Sequence, residues 1–213
     1  MKSRRERVRE AAINEIKSIA WEIAKTDGTE HVTVNGIART MGMTPPAFYS
    51  YFKSRDQLIQ AMIIDAYKSF QTQLIEARDK RPESDAIGRI VAVFIAYRKW
   101  AVSNPNMFGL FAGKPVSGFD KKESDIIKEA EIVHDIFIDL FEDALQKKLI
   151  SNRKKKLELP AEYQAEIERI RKKKKLSLSL NTCNQIIRNG MLVHGMISME
   201  ISGRLPVMVG NPA

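Results

Sequence analysis

Between residues 44 and 55 the chain sets a threonine, two serines, two tyrosines, a lysine and an arginine among two phenylalanines and two prolines. Hydroxyls and cations are the groups that grip phosphate oxygens, while base edges are read by polar or methyl-bearing side chains entering a groove. The spacing predicts a very short helix. Thr44 is an N-cap candidate, and Pro45 suits the first helical position, where its missing N–H is not needed. Phe48 and Phe52 stand four apart and share one face, so they can anchor the helix to a core. Pro46, Ala47, Tyr49, Ser50 and Lys53 then point elsewhere. That surface predicts a DNA-recognition helix. Pro46 and Ala47 allow only apolar base contacts, for instance with thymine methyls, and Ser50 is the polar side chain placed to read an edge.

Helices must position this stretch. Residues 4–26 have helical periodicity, with Ile16, Ile19, Ala20, Ile23 and Ala24 on one face and Val8 and Ala12 as its upstream extension. Gly28 is a natural terminator. Thr33 caps a second helix carrying Val34, Ile37, Ala38 and Met41 inward, and Gly42 ends it. Ala38 and Gly42 let two helices cross closely, as a helix-turn-helix requires. Gly36 inside this helix should cost about 1 kcal/mol relative to alanine, with no reason visible in the sequence. Ser54 with Gln57 reads as a capping box opening a long helix to about residue 78.

Further along, residues 85–103 are apolar on nearly all sides, which predicts a central, buried helix. A short helix follows Asn104 and Pro105, and residues 113–118 read as a loop. Residues 123–150 predict a long amphipathic helix, with Ile127 among its inward residues. The last helix, 181–203, places Ile187, Met191, His194, Ser198 and Ile201 on one face, and Pro206 and residues 210–212 read as coil. No useful strand-like alternation and no internal repeat is present.

The 213 residues suffice for one large domain or two small ones. One cysteine, Cys183, excludes an internal disulfide framework and fits a reducing cytosol. No signal peptide opens the chain and no run is long enough to span a bilayer, so the expected location is cytoplasmic, with no membrane partner. The net charge is +9, but +6 of it lies in residues 153–175, outside the proposed recognition element. That segment reads as a solvated loop and exposed helix end, or as a surface for an acidic protein partner; a helical protein-interaction module using it is the competing function. No nucleophile–base constellation, phosphate loop or metal-ligand spacing occurs, so no enzyme, cofactor or metal is expected.

The first sixty residues resemble the TetR family of transcriptional repressors. The likeness runs through Ile16, Ile19, Ala20, Ile23, Ala24, Gly28, Val32, Thr33, Val34, Ile37, Ala38, Gly42, Phe48, Tyr49, Tyr51, Phe52, Ser54, Arg55 and Asp56. Residues 97–101 and 104–108 look like the middle of many TetR ligand domains. Residues 193–200 resemble the last helix of a subgroup marked by a Trp–His–Gly signature, with Gly190 about where its Trp would stand.

The resemblance implies an all-α fold. A three-helix DNA-binding domain over residues 1–53 would precede a larger ligand-binding and dimerisation domain over 54–213. It implies a homodimer that binds a near-palindromic double-stranded operator and releases it when a small-molecule effector binds. It also implies that Tyr49, Tyr51, Lys53 and Arg55 touch the DNA backbone or adjacent base. Tyr51 can equally pack. Thr33 and Thr44 can serve as caps and phosphate contacts together. Lys2, Arg4, Arg5, Arg7 and Arg9 read as a charged tail, or as a helix extension toward DNA. Phe94, Tyr97, Trp100, Phe108, Phe111, Phe137 and Phe141 are core aromatics that can also line a mainly apolar effector pocket. His194 sits on the apolar face of the final helix, as a hydrogen-bonded core or interface histidine or as a ligand contact.

Overall fold

A computed structural model describes residues 3–112, 124–152 and 159–204. The described residues form α-helices and short turns, with no strand among them. The helices are α1 (Arg4–Thr26), α2 (Val34–Thr40), α3 (Pro45–Tyr49), α4 (Arg55–Asp79), α5 (Ala86–Ser103), α6 (Pro105–Ala112), α7 (Ser124–Gln146), α8 (Ala161–Lys174) and α9 (Leu180–Ile201). A short 3-10 turn, Thr29–His31, stands between α1 and α2 and was not expected. The predicted loop at 113–118 and the predicted coil at 206–212 lie outside the described residues.

Arg4, Arg5, Arg7 and Arg9 are not a tail, while Lys2 lies outside the described residues. Ser3 caps α1 by accepting from the Glu6 amide, and the Glu6 carboxylate accepts from the Ser3 amide at 2.6 Å. This reciprocal pairing starts the helix at Arg4, so Arg4, Arg5, Arg7 and Arg9 project from its first two turns. Val8 is 61% exposed, so the apolar stripe of α1 begins later than its periodicity suggests.

Contacts divide the chain into two units, residues 1–71 with 104–132, and residues 72–103 with 133–213. The expected boundary at 53/54 falls inside the first unit, and α4 contributes to both. The core of the first unit joins Ile16, Ala20, Ala24, Val32, Ile37, Phe48 and Phe52 to Leu58, Ile59, Met62 and Ile63 of α4. Leu110 of α6 and Ile126 of α7 belong to the same core. The Lys17 ammonium meets the Asp65 carboxylate at 2.7 Å across α1 and α4. Gln71, nearly buried, donates to the Glu129 backbone carbonyl at 3.0 Å and to its carboxylate at 2.8 Å, joining α4 to α7.

In the second unit α5 and α8 both pack on α9. Ile167, Leu178 and Cys183 form a small core with Phe141, Leu145 and Tyr163 against it. Burial raises the Cys183 thiol pKa above its ordinary value, as expected of a packing residue. The expectation that α5 is buried all round fails. Ile87, Val91, Ile95 and Val102 are exposed, because α9 covers one side of α5 and these residues lie on another. Met191, assigned inward on α9, is likewise exposed, as is Ile127 on α7.

Candidate nucleic-acid interface

Local sequence builds the helix-turn-helix. Thr33 Oγ1 accepts from the Gly36 amide at 3.1 Å and starts α2. A Cβ added at Gly36 would stand 3.0 Å from that same oxygen, a tight contact that the glycine relieves. Gly42, at φ +63, makes the turn that an L side chain would resist. The Met43 amide donates to the Ala38 carbonyl at 2.9 Å, and α3 follows.

Phe48 is fully buried and Phe52 is 5% exposed, with ring centroids 5.9 Å apart. These two rings lock α3 onto the core, as their spacing predicts. Thr44, Pro46, Tyr49, Ser50 and Lys53 are exposed, and Ala47 is partly so. Thr44 holds the N-cap position but makes no side-chain cap bond. The Tyr49 ring is 52% exposed and meets Phe48 edge-on. Ser50 Oγ donates to the Ala47 carbonyl at 2.7 Å, so its proton is committed to the last turn of α3 and the hydroxyl is left to act as an acceptor.

Two cations point back into the protein. Arg9 donates from Nη1 to the Ser50 carbonyl at 2.8 Å, and its guanidinium lies 5.5 Å from the Tyr51 ring centroid. Tyr51 itself is partly buried against the core. Arg55 donates from Nε to the Val32 carbonyl at 2.6 Å and from Nη2 to the Thr29 carbonyl at 2.9 Å. These links join residues 41, 23 and 26 positions apart, and no local spacing in the sequence signals them. The capping box at Ser54 forms with a one-residue shift. The Gln57 amide donates to Ser54 Oγ at 3.1 Å, while its side-chain carbonyl accepts from the Lys53 amide at 2.6 Å.

In the second unit the aromatic candidates divide. Tyr97 Oη and His194 Nδ1 are 2.6 Å apart. Phe137 lies 6.4 Å from the Tyr97 ring and 5.2 Å from the Phe94 ring. Trp100 is buried on the same helix as Tyr97. Phe141 packs instead with the α8–α9 core, Phe108 belongs to the first unit, and the Phe111 side chain lies outside the described residues. Of the basic segment, residues 153–158 lie outside the described residues. Arg169 pairs with Glu166 at 2.6 Å and Arg171 with Glu168 at 2.7 Å. Lys174 pairs with Asp135. Charge there is therefore spent partly on internal pairs. Among the described residues no group of three His, Cys, Asp or Glu could hold a metal ion, and no helix is long and apolar enough to cross a membrane.

Comparison with known proteins bears on the same helices. The family profile described as bacterial regulatory proteins, tetR family, matches residues 16–62. The profile described as tetracyclin repressor-like, C-terminal domain, matches residues 90–213. An HTH-type transcriptional regulator of Mycobacterium bovis is 35% identical over 92 residues, 43% of this chain. The match spans 39% of that relative's length. The crystal structure of a regulatory protein designated SCO4313 superposes with a TM-score of 0.77 at 27% identity, covering 98% of this chain and 93% of that one. A Rhodococcus sp. RHA1 protein of unknown function shares the fold, with a TM-score of 0.69 at 16% identity over 94% of this chain and 86% of that one. With one profile over its helix-turn-helix and another over more than half its length, the chain belongs to the TetR family, whose members are DNA-binding regulators of transcription rather than enzymes.

Proposed function

We propose that this protein is a dimeric repressor that binds a near-palindromic duplex operator and leaves it when a small, mainly apolar effector binds. One observation carries the DNA-binding end of this reading. The α3 surface exposes Thr44, Pro46, Tyr49, Ser50 and Lys53 while Phe48 and Phe52 hold the helix to the core. Tyr49 and Lys53 supply a phenolic hydroxyl and an ammonium to phosphate, and Thr33 and Thr44 stand at helix N-termini, where phosphate oxygens are favoured. Base readout falls to Ser50 lone pairs and to apolar contacts from Pro46 and Ala47.

The dimer reading is supported by α9, where Met191, Leu192 and Met196 are 63%, 64% and 59% exposed. Three neighbouring large apolar side chains in water favour a covering partner, and a second copy would supply the second recognition helix that a two-half-site operator needs. The effector reading is supported by Phe94, Tyr97, Phe137 and His194, which combine aromatic surface with one hydrogen-bonded polar pair. Release would be a population shift: the effector stabilises a state whose recognition helices no longer match the half-sites.

Selection from a random duplex pool, followed by gel shifts at several salt concentrations, tests this reading. Lys53→Ala is expected to make the salt slope of the selected duplex shallower by about one, and Tyr49→Phe to weaken binding through loss of one phosphate hydrogen bond. Unchanged affinity and slope in both variants would refute the proposed docking.

A further inference from the structure

Arg55 is the first residue of α4, where the family likeness implies a DNA contact. Its guanidinium instead takes two carbonyls of its own chain, Val32 at 2.6 Å and Thr29 at 2.9 Å. Both carbonyls belong to one feature. Thr29 opens the 3-10 turn, and Val32 is the residue that closes it. Val32 is completely buried, and the next residue, Thr33, caps α2. One side chain thus ties the start of α4 to the residue immediately before the α2 cap.

The chemistry favours arginine specifically. Nε and an Nη donate in a rigid planar fork, so two acceptors can be held at fixed spacing, whereas a lysine ammonium is a single flexible point charge. Loss of the fork would leave a carbonyl in a buried setting without that donor, and such groups are expensive to leave unpaired. The Thr29 carbonyl also accepts from the Val32 amide at 3.3 Å, so the turn and the arginine share an acceptor.

We propose that Arg55 is a positioning residue for DNA binding rather than a phosphate contact. It fixes the turn before α2, and with it Thr33 and the angle at which the helix-turn-helix meets DNA. Lys53, exposed two residues earlier, carries the phosphate interaction. This inference rests on the DNA-binding reading above for its consequence, but not for its geometry.

The test uses the full chain and a duplex that the wild type selects from a random pool. Affinity is measured across salt concentrations for Arg55→Ala, Arg55→Lys and Lys53→Ala. Amide hydrogen exchange over residues 32–37 is followed in the DNA-free proteins. Both Arg55 variants are expected to bind roughly tenfold more weakly while keeping the wild-type salt slope. Exchange at Gly36 and Ile37, whose amides bond to Thr33, should quicken in both. Lys53→Ala should lower the slope and leave exchange unchanged. A slope shallower by about one in Arg55→Ala, with exchange at the wild-type rate, would overturn the proposal. Full affinity in Arg55→Lys would overturn it as well, and this variant keeps the test decisive should Arg55→Ala fail to fold. If the wild type selects no duplex, the DNA-binding reading falls on its own; the exchange rates still decide whether Arg55 holds the turn.

Discussion

Thr33 and Thr44 each stand just before a helix, and the two hydroxyls are used differently. Thr33 Oγ1 accepts from the Gly36 amide, whereas Thr44 makes no side-chain cap bond. Their alanine variants should therefore separate folding from binding. Thr33→Ala is expected to lower stability by about 1 kcal/mol, the usual loss for an N-cap. Thr44→Ala should leave the denaturation midpoint near that of the wild type and weaken DNA binding instead. Urea denaturation of both variants checks this; equal losses of stability would show that Thr44 also caps in solution. Gly36 completes the local picture. A Cβ there would meet the Thr33 hydroxyl tightly, at 3.0 Å, so the glycine eases the cap without being required by it. Sequence showed both residues but not their relation, because a tight contact with an absent atom has no sequence signal.

Apolar spacing is a good guide to which residues share a face and a poor guide to how wide the covered part of that face is. Ile16, Ala20 and Ala24 on α1, and Leu58, Ile59, Met62 and Ile63 on α4, are buried as their periodicity predicts. Phe48 and Phe52 place α3 the same way. Val8, near the start of α1, and Met191, in the middle of α9, belong to such stripes by spacing alone, and both are exposed. Long-range polar ties are the least legible class. Arg9 to Ser50 and Arg55 to Thr29 and Val32 join residues with no fixed offset, so cations destined for carbonyls look like cations destined for phosphate. The exposed part of α9 is where a prediction at this scale belongs. Leu192→Glu is expected to convert a dimer to monomers without loss of helix content, since Leu192 is 64% exposed in the single chain. Sedimentation equilibrium would read the mass. A dimeric variant would move the interface elsewhere, and a monomeric wild type would refute the dimer.

On the scale of the whole molecule, the chain's order and its division into units do not coincide. The first unit takes residues 1–71 and then residues 104–132, with the segment between them assigned to the second unit. A chain cut after residue 53 would lack Leu58, Ile59, Met62 and Ile63, all completely buried in the first core. Such a fragment is expected to unfold without a cooperative thermal transition by circular dichroism; a sigmoidal melt would show that three helices suffice. The same discontinuity has a consequence for synthesis on the ribosome. The core of the first unit is complete only with Leu110 and Ile126, the latter about 55 residues after residue 71. At ordinary elongation rates that interval lasts about 3 to 11 s. Throughout it the nascent first unit stands with part of its apolar core uncovered, a ready client for any chaperone waiting at the tunnel exit.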